Sequence, residues 1–152
     1  GLDLKSSHVS SQIKSSQVRS STGSSSRAAS LIATFLPVAP PSCTLAGSVC
    51  SPGTEIMLGD MMAKQHCTYS SSATFDGDQW VQMHIVVEGN GRIEHRINDH
   101  VVMSYHSPQL SADATLVRAN PALALDQGFI ALQSESHPID FRRVALRALG
   151  QE

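Results

Sequence analysis

Three polar side chains occupy alternate positions near the C-terminal end of the chain: Gln133, Glu135 and His137. Alternate residues of an extended strand share one face, so these side chains would lie together if no bulge interrupts the strand. A carboxylate beside an imidazole can act as general acid and base, and an amide can orient a hydroxyl or carbonyl group. Arg142 could bind an anion or hold Glu135 through a charge-assisted hydrogen bond. The alternative interpretation is a solvated polar loop before the last strand.

Trp80 and His95 are further candidates for ligand contact, and each has a structural alternative. Trp80 begins a predicted strand, where its ring would either anchor a core, the interpretation we favour, or stack on a ligand. His95 would share one strand face with Ile93 and Ile97. A histidine in such an apolar row is more typical of a hydrogen-bonded core residue than of a catalyst.

The elements that would position these residues are antiparallel β-strands, because residues 77–102 and 128–149 alternate apolar with polar side chains. The apolar members are Met83, Ile85 and Val87 in the first stretch, and Phe141, Val144, Leu146 and Leu149 near the second. The turn signals Gly89-Asn90-Gly91 and Asn98-Asp99 predict a strand over residues 92–97, antiparallel to the strand before it, and a short strand after it. Glu94 and Arg96 would lie on the face opposite His95. Residues 113–126 predict a long loop.

Three cysteines bear on the compartment and on metal binding. Cys50 and Cys67 flank two turn signals that would fold the intervening chain into a hairpin and bring the thiols close together. Both could instead be free, buried thiols. A zinc site with His66 is a third interpretation, but neighbouring residues on a strand point to opposite faces, which argues against it. Cys43 is left over in each case.

The N-terminal third is rich in serine, with few large apolar residues, and predicts a segment that buries little and stays disordered. We therefore divide the chain into residues 1–43, disordered or non-native, and a folded part over residues 44–150. A frameshift upstream of Thr44 would produce the same abrupt change of composition. The apolar run over residues 31–40 contains Pro37 and Pro40 and is too short to span a membrane.

Composition and charge exclude some function classes. With 152 residues and 41% hydrophobic content, the chain is long enough for one domain. The formal net charge is −2, and the lysines and arginines are dispersed, so we expect no nucleic-acid partner. No clear signal peptide is present, since Arg27 and the apolar run after it lie far from the start of the chain.

Four ordered motifs carry a resemblance to a known family: Gly77-Asp-Gln-Trp80, Ile93-Glu-His-Arg-Ile-Asn98, Gly128-Phe-Ile-Ala-Leu-Gln133 and Ser136-His-Pro-Ile-Asp-Phe-Arg142. In this order they resemble the closing half of the 3-keto-disaccharide hydrolase domain. The resemblance extends upstream through residues 49–54 and 65–67, so it runs from about Thr44 to Leu149. It favours the Cys50–Cys67 disulfide, because both positions match the family.

The resemblance implies an all-β fold, a jelly-roll β-sandwich related to concanavalin A-like lectins, here incomplete, with its site on the concave face. Carried onto this chain, it implies Glu135 and His137 as catalytic residues. The residues that would contact the substrate are Gln133, Arg142, His95 and Trp80.

Two functions follow from the resemblance. The first is hydrolysis or lyase chemistry on 3-keto-glycosides, with a carbohydrate as the partner. The second is a non-catalytic carbohydrate-binding or interaction module, or an inactive fragment, because the same fold hosts enzymes and pure binders. No cofactor is expected, although Asp76 and Asp78 could bind calcium. A disulfide and the resemblance together imply a periplasmic or secreted bacterial protein. The oligomeric state stays open.

Overall fold

The computed structural model describes residues 28–37, 45–75, 79–111, 124–125, 132 and 139–149. These residues form an all-β fold, as predicted, and the arrangement is consistent with a β-sandwich. Nine strands are described: β1 Ala28–Pro37, β2 Val49–Cys50, β3 Thr54–Leu58, β4 Met61–Ala63, β5 Cys67–Thr68, β6 Val81–Glu88, β7 Arg92–Ile97, β8 His100–Leu110 and β9 Ile139–Leu149. Within the described parts of the chain, no helix is long and apolar enough to cross a membrane.

Seven of the strands make one antiparallel sheet in the order β4-β3-β8-β7-β6-β1-β9, and β2 pairs with β5 in a second, two-stranded sheet. Consecutive strands β6, β7 and β8 are neighbours in the sheet. Strand β1 lies between β6 and β9, although both of these strands are far from β1 in sequence. The larger sheet is therefore built around the hairpins of β6, β7 and β8, with long-range pairing on both sides of them: β3 with β8, and β1 with β6 and β9.

The hairpins of β6, β7 and β8 confirm the predicted turns. In the first turn, the Gly91 amide donates to the Glu88 carbonyl oxygen at 2.9 Å, and Gly89 has a φ of 59°. In the second, Asn98 and Asp99 have φ values of 47° and 67°. Positive φ at both central residues is the type I′ geometry, whose twist matches that of the flanking strands. Aspartate thus occupies a left-handed conformation where glycine is more usual. The predicted short strand after the second turn is longer than expected and reaches Leu110.

Strand β1 corrects the prediction for the N-terminal segment. Residues 28–37 lie within the stretch predicted to be disordered or non-native, yet they pair along their length with β6 and with β9. For these ten residues the expectation of disorder is wrong. The physical reason is that Ser30 and Thr34 alternate with Leu31 and Ala33, so a serine-rich composition conceals a period-two strand. The remainder of the segment lies outside the described residues.

One face of the larger sheet is apolar and forms the core. Its main cluster contains Leu31, Ile56, Ala63, Ile85, Ile93, Met103 and Tyr105, and Val49 of β2 packs against it. A smaller cluster joins Val81 and Ile97, with Phe141 packed beside them. Each fully buried aliphatic side chain contributes roughly 1.5–3 kcal/mol to the free energy of unfolding, so this face is the main source of stability.

A bulge in the pairing of β1 with β9 changes which side chains of β9 reach the core. Leu31 lies opposite Leu146 and Ile32 opposite Ala145, but Thr34 lies opposite Arg142, so β9 has one extra residue between them. Arg143, at φ 51°, lies in this bulge. The bulge puts Phe141 and Leu146 on the same face although they are an odd number of positions apart. Leu149 is three positions from Leu146 in regular pairing, so it lies on the other face, where it lines a groove.

The structure joins Cys50 and Cys67 by a disulfide, across the pairing of β2 with β5. The predicted loop over residues 113–126 lies outside the described residues, apart from Ala124 and Leu125. Ala124 bridges to Gln109, and the Leu125 amide donates to the Pro108 carbonyl oxygen at 2.9 Å, so this segment returns to β8.

Replacing Cys50 and Cys67 together with alanine is expected to lower the free energy of unfolding by about 3 kcal/mol, since the loss of a loop constraint makes the unfolded chain more favourable. The loop has a sequence separation of 17 residues. Urea-induced unfolding measured by circular dichroism would give the value. Cys43→Ala is the matched control and should keep the unfolding midpoint of the parent chain. A double variant with the parent's midpoint would contradict the prediction.

Candidate functional site

The face of the larger sheet opposite the core carries the polar side chains of four neighbouring strands, and we call it the polar face. The pairing places Ser30 of β1 between Arg147 of β9 and Val86 of β6, with Glu94 of β7 next in the row. In the adjacent row, Ile32 lies opposite His84, which lies opposite Arg96. Because neighbouring strands are about 4.8 Å apart, side chains in such rows can contact one ligand.

A groove of about 400 Å³ lies on this face over β6, β1 and β9. Its lining residues come from these three strands and are Ser30, Ile32, His84, Val86, Ala145, Arg147 and Leu149. The Ser30 hydroxyl and the His84 Nε2 are hydrogen-bonded at 2.6 Å. Apolar walls with a few polar groups are typical of small-molecule sites. The groove therefore offers one imidazole, one hydroxyl and one guanidinium to a ligand.

Beside the groove, Glu94 is buried between two arginines. Its Oε2 accepts from Arg96 Nη2 at 2.7 Å, and its Oε1 lies 3.0 Å from Arg92 Nη1. The hydrogen bond from Arg96 lowers the pKa of Glu94, and the charges of Arg92 and Arg96 act in the same direction, while burial opposes them. Glu94 is therefore a carboxylate at neutral pH. Its position suits holding the two arginines rather than donating a proton.

Trp80 and Arg142 meet at one end of the polar face. Arg142 lies opposite Thr34, and its guanidinium carbon is 3.8 Å from the centre of the Trp80 ring. Trp80 is 38% exposed, so the core interpretation that we favoured for it is wrong; the next residue, Val81, is the buried one. This pair is a cation–π contact that gives the indole ring a fixed orientation at the surface.

His95 lies on the apolar face, where it is 4% exposed. Its Nδ1 is 2.6 Å from the carbonyl oxygen of Gly47, and its Nε2 is 3.2 Å from the hydroxyl of Tyr105. A carbonyl oxygen can only accept, so Nδ1 carries the proton and Nε2 accepts from Tyr105. Burial lowers the pKa of His95, although the bond to Gly47 raises it, and burial raises the pKa of Tyr105 to about 12. The pair is thus neutral and enclosed.

The predicted site residues are only partly brought together. Trp80 and Arg142 are in contact on the polar face, whereas His95 is on the opposite side of the sheet. The predicted Gln133, Glu135 and His137 lie outside the described residues, as do Asp76 and Asp78, the predicted calcium ligands. Their roles stay predictions.

Sequence reasoning missed the groove. Ser30 was assigned to a disordered segment, and Arg147 could be recognised as its neighbour only if β1 was known to pair with β9. His84 did have a signal, because it alternates with Met83 and Ile85 and so had to lie on the face opposite the core. Glu94 and Arg96 were placed on one face as predicted, but their ion pairs follow from the structure alone.

Metal-binding chemistry among the described residues lies elsewhere. Cys50, His66 and Cys67 form a group whose ligand atoms are within 4.8 Å of one another, and it belongs to the two-stranded sheet. The polar face is therefore a site of hydrogen-bonding and charged groups rather than of grouped metal ligands.

An antiparallel sheet with one core face and one polar, grooved face defines a β-sandwich-type domain. The chain belongs to the family described as the 3-keto-alpha-glucoside-1,2-lyase-like domain, whose model matches residues 9–147. This confirms the resemblance, and the match starts well before Thr44, where the recognised motifs begin. The family implies a glycoside hydrolase- or lyase-like function. No curated protein and no solved structure matches the chain.

The buried His95 predicts a pH dependence of stability. Its pKa is depressed in the folded chain, while the ordinary value is 6.5. The stabilisation is therefore fully present above about pH 6.5 and is lost as the pH falls from there towards the folded-state pKa, since only the unfolded chain then takes up the proton. The slope would approach about 1.4 kcal/mol per pH unit.

Urea unfolding measured between about pH 5 and pH 8 would test this effect. His95→Gln should lose this component of the slope, and His100→Gln, at an exposed position, should keep it. An identical slope in the parent chain and in His95→Gln would contradict the assignment.

Proposed function

We propose that this domain cleaves 3-keto-glycosides by elimination and hydration, with the substrate bound on the polar face. The proposal is carried by one observation: a chain of this family has a groove with an imidazole and a guanidinium on the sheet face opposite its core. The volume of about 400 Å³ is in the range of small-molecule sites.

The chemistry follows from the ketone at C3 of the sugar. The ketone acidifies the hydrogen on C2, so a base can remove it and leave an enolate whose charge is on the C3 oxygen. The electron pair then forms the C1–C2 double bond as the bond from C1 to the leaving oxygen breaks, and that oxygen takes up a proton. Addition of water across the double bond, with hydroxide equivalent at C1 and a proton at C2, completes net hydrolysis.

Residues of the polar face suit the charged steps of this sequence. A guanidinium stabilises an enolate oxygen by charge-assisted hydrogen bonds, and Arg142 and Arg147 are both on β9. Arg147 lines the groove, and Arg142 fixes the ring of Trp80, which can pack against the apolar side of a sugar. Glu94 keeps Arg92 and Arg96 in place beside the groove.

Three residues are candidates for the base. Glu135 and His137 are those predicted from the sequence, and they shortly precede Ile139, the first residue of β9. His84 is the candidate that the groove adds, and its bond to Ser30 would orient the ring. A base of this kind contributes typically 10²- to 10⁴-fold to the rate.

Exchange of the C2 hydrogen in deuterated water would test the first step on its own. We expect the chain to catalyse loss of the C2 proton signal of a methyl 3-keto-glucoside in proton NMR spectra. Substitution of the base should slow this exchange by about 10²-fold or more. The variants are Glu135→Gln, His137→Asn and His84→Asn.

His100→Asn is the control for these variants, because His100 is exposed and has no place in the proposed site. Only the variant that removes the base should lose exchange while still binding the sugar. The absence of exchange in the unaltered chain, with several 3-keto-glycosides, would overturn the lyase proposal and leave carbohydrate binding as the function to be tested.

A non-catalytic carbohydrate-binding module is the second candidate, and the exposed Trp80 favours it. An indole ring held at the surface by Arg142 is a suitable platform for a sugar ring, and it does not depend on a base. Under this proposal, glycosides without a keto group should bind with the same affinity as 3-keto-glycosides.

Trp80 is the only tryptophan of the chain, so its fluorescence reports directly on this end of the polar face. Addition of methyl glucoside or its 3-keto form should shift or quench the emission. Arg142→Met is expected to weaken binding by about fivefold, equivalent to about 1 kcal/mol, because the ring loses its fixed orientation. Arg143→Met, a change at the neighbouring position, should leave the affinity unchanged. Equal affinities for the two variants would contradict a role for the Trp80–Arg142 pair.

A further inference from the structure

The two-stranded sheet brings together three side chains that are common zinc ligands: Cys50, His66 and Cys67. Neighbouring residues of a strand point to opposite faces, which would separate His66 from Cys67. However, β5 begins at Cys67 and His66 lies outside the strand. The alternation rule therefore does not apply to the pair.

The distances are compatible with zinc. The imidazole nitrogen and the two sulfur atoms lie within 4.8 Å of one another. In a tetrahedral zinc site with Zn–S near 2.3 Å and Zn–N near 2.0 Å, ligand atoms are about 3.5 to 3.8 Å apart. The bonded sulfur atoms of the disulfide are too close together for this geometry, so only after reduction could side-chain rotations bring the three ligands to these separations.

The backbone positions these ligands independently of the disulfide. Val49 pairs with Thr68 and Cys50 with Cys67, and the Ser51 amide donates to the carbonyl oxygen of His66 at 2.9 Å. On the far side of the pair, the Ser70 amide donates to the Ser48 hydroxyl at 3.1 Å, and the Ser70 hydroxyl donates to the Ala46 carbonyl oxygen at 2.6 Å. None of these bonds involves a sulfur atom, so reduction of the disulfide does not remove a donor or an acceptor from them.

We propose that Cys50, Cys67 and His66 form a redox-gated zinc site, closed to metal while the disulfide is intact and opened by its reduction. A dithiol reductant would give two electrons and two protons to the disulfide and become a disulfide itself, leaving two thiols on the chain. Zinc then displaces the two thiol protons and binds both thiolates and the neutral imidazole. Solvent would fill the fourth position, as in zinc sites with three protein ligands.

This site is separate from the groove and does not rest on the proposed glycoside chemistry. The two-stranded sheet contributes Val49 to the core cluster, so metal binding would act on the stability of the fold rather than on a substrate. The site would give a chain whose disulfide has been reduced a second means of holding β2 to β5.

Zinc binding by the full chain in its two redox states would test the proposal. After reduction with a phosphine and removal of oxygen, we expect one zinc ion per chain in competition with a chromophoric chelator, and none in the oxidised chain. Cobalt substituted for zinc should show a thiolate charge-transfer band in the near ultraviolet. The Cys43→Ser variant, which removes the remaining cysteine, should behave in the same way.

His66→Ala should keep the disulfide when oxidised and weaken zinc binding by the reduced chain about tenfold or more. His100→Ala, at another exposed histidine, should leave the affinity unchanged. Equal zinc affinity for the oxidised and reduced chains, or for His66→Ala and the reduced parent, would overturn the proposal. If reduction unfolds the chain, zinc must restore its β-sheet circular dichroism, and failure to do so would also overturn it.

Discussion

The structure depends on the pairing of β1 with two partners at once. Its backbone forms one ladder with β6 and another with β9, and among the described strands it alone pairs with both. Both faces of the sheet continue across β1: Leu31 packs with Ile85 in the core cluster on one side, and Ser30 is hydrogen-bonded to His84 on the other. If β1 were displaced, Arg142 and Arg147 would lose their neighbours on β6.

Polar side chains are buried on both faces of the larger sheet, and the interactions that compensate for their loss of water differ between the faces. On the core face His95 is buried, and its hydrogen bonds to Gly47 and Tyr105 compensate for the loss of solvent. On the polar face, Glu94 keeps its charge because two arginines surround it. No described buried side-chain nitrogen or oxygen lacks a hydrogen-bond partner. Buried polar groups are therefore placed where partners exist. The polar side chains that line the groove, Ser30, His84 and Arg147, are those that could form further hydrogen bonds to a ligand.

Local features of the fold were predictable, and long-range ones were not. The turns at Gly89 and Asn98 have composition signals within a few residues, so the strands joined by them could be placed from the sequence. Strand β1 could not, because serine-rich flanks and Pro37 obscured a short alternation, and its partners are far away in sequence. The position of the bulge in β9 was also out of reach, since a bulge leaves no mark in the pattern of side chains, whereas the face of Leu149 follows from its odd spacing from Leu146.

For the site, the same distinction holds. The cluster of Glu94 with Arg96 follows from alternation within one strand, and it was placed correctly. The Ser30–His84 bond and the contact of Trp80 with Arg142 each join residues more than fifty positions apart, and composition carries no information about such pairs. A family motif locates residues along the chain, but it does not say which of them face the same groove.

The extra residue in β9 has a consequence for how this strand can vary. Strand pairing assigns a residue to a face by its parity, so the bulge at Arg143 is what sets Arg142 opposite Thr34 and beside Trp80. Deleting Arg143 or Val144 would remove the bulge and still leave Arg142 opposite Thr34 and Phe141 opposite Phe35, whereas an unbulged strand of the present length would place Arg143 opposite Thr34 and move Phe141 to the polar face. Between residues 142 and 145 this strand can therefore become one residue shorter without moving its side chains from one face to the other.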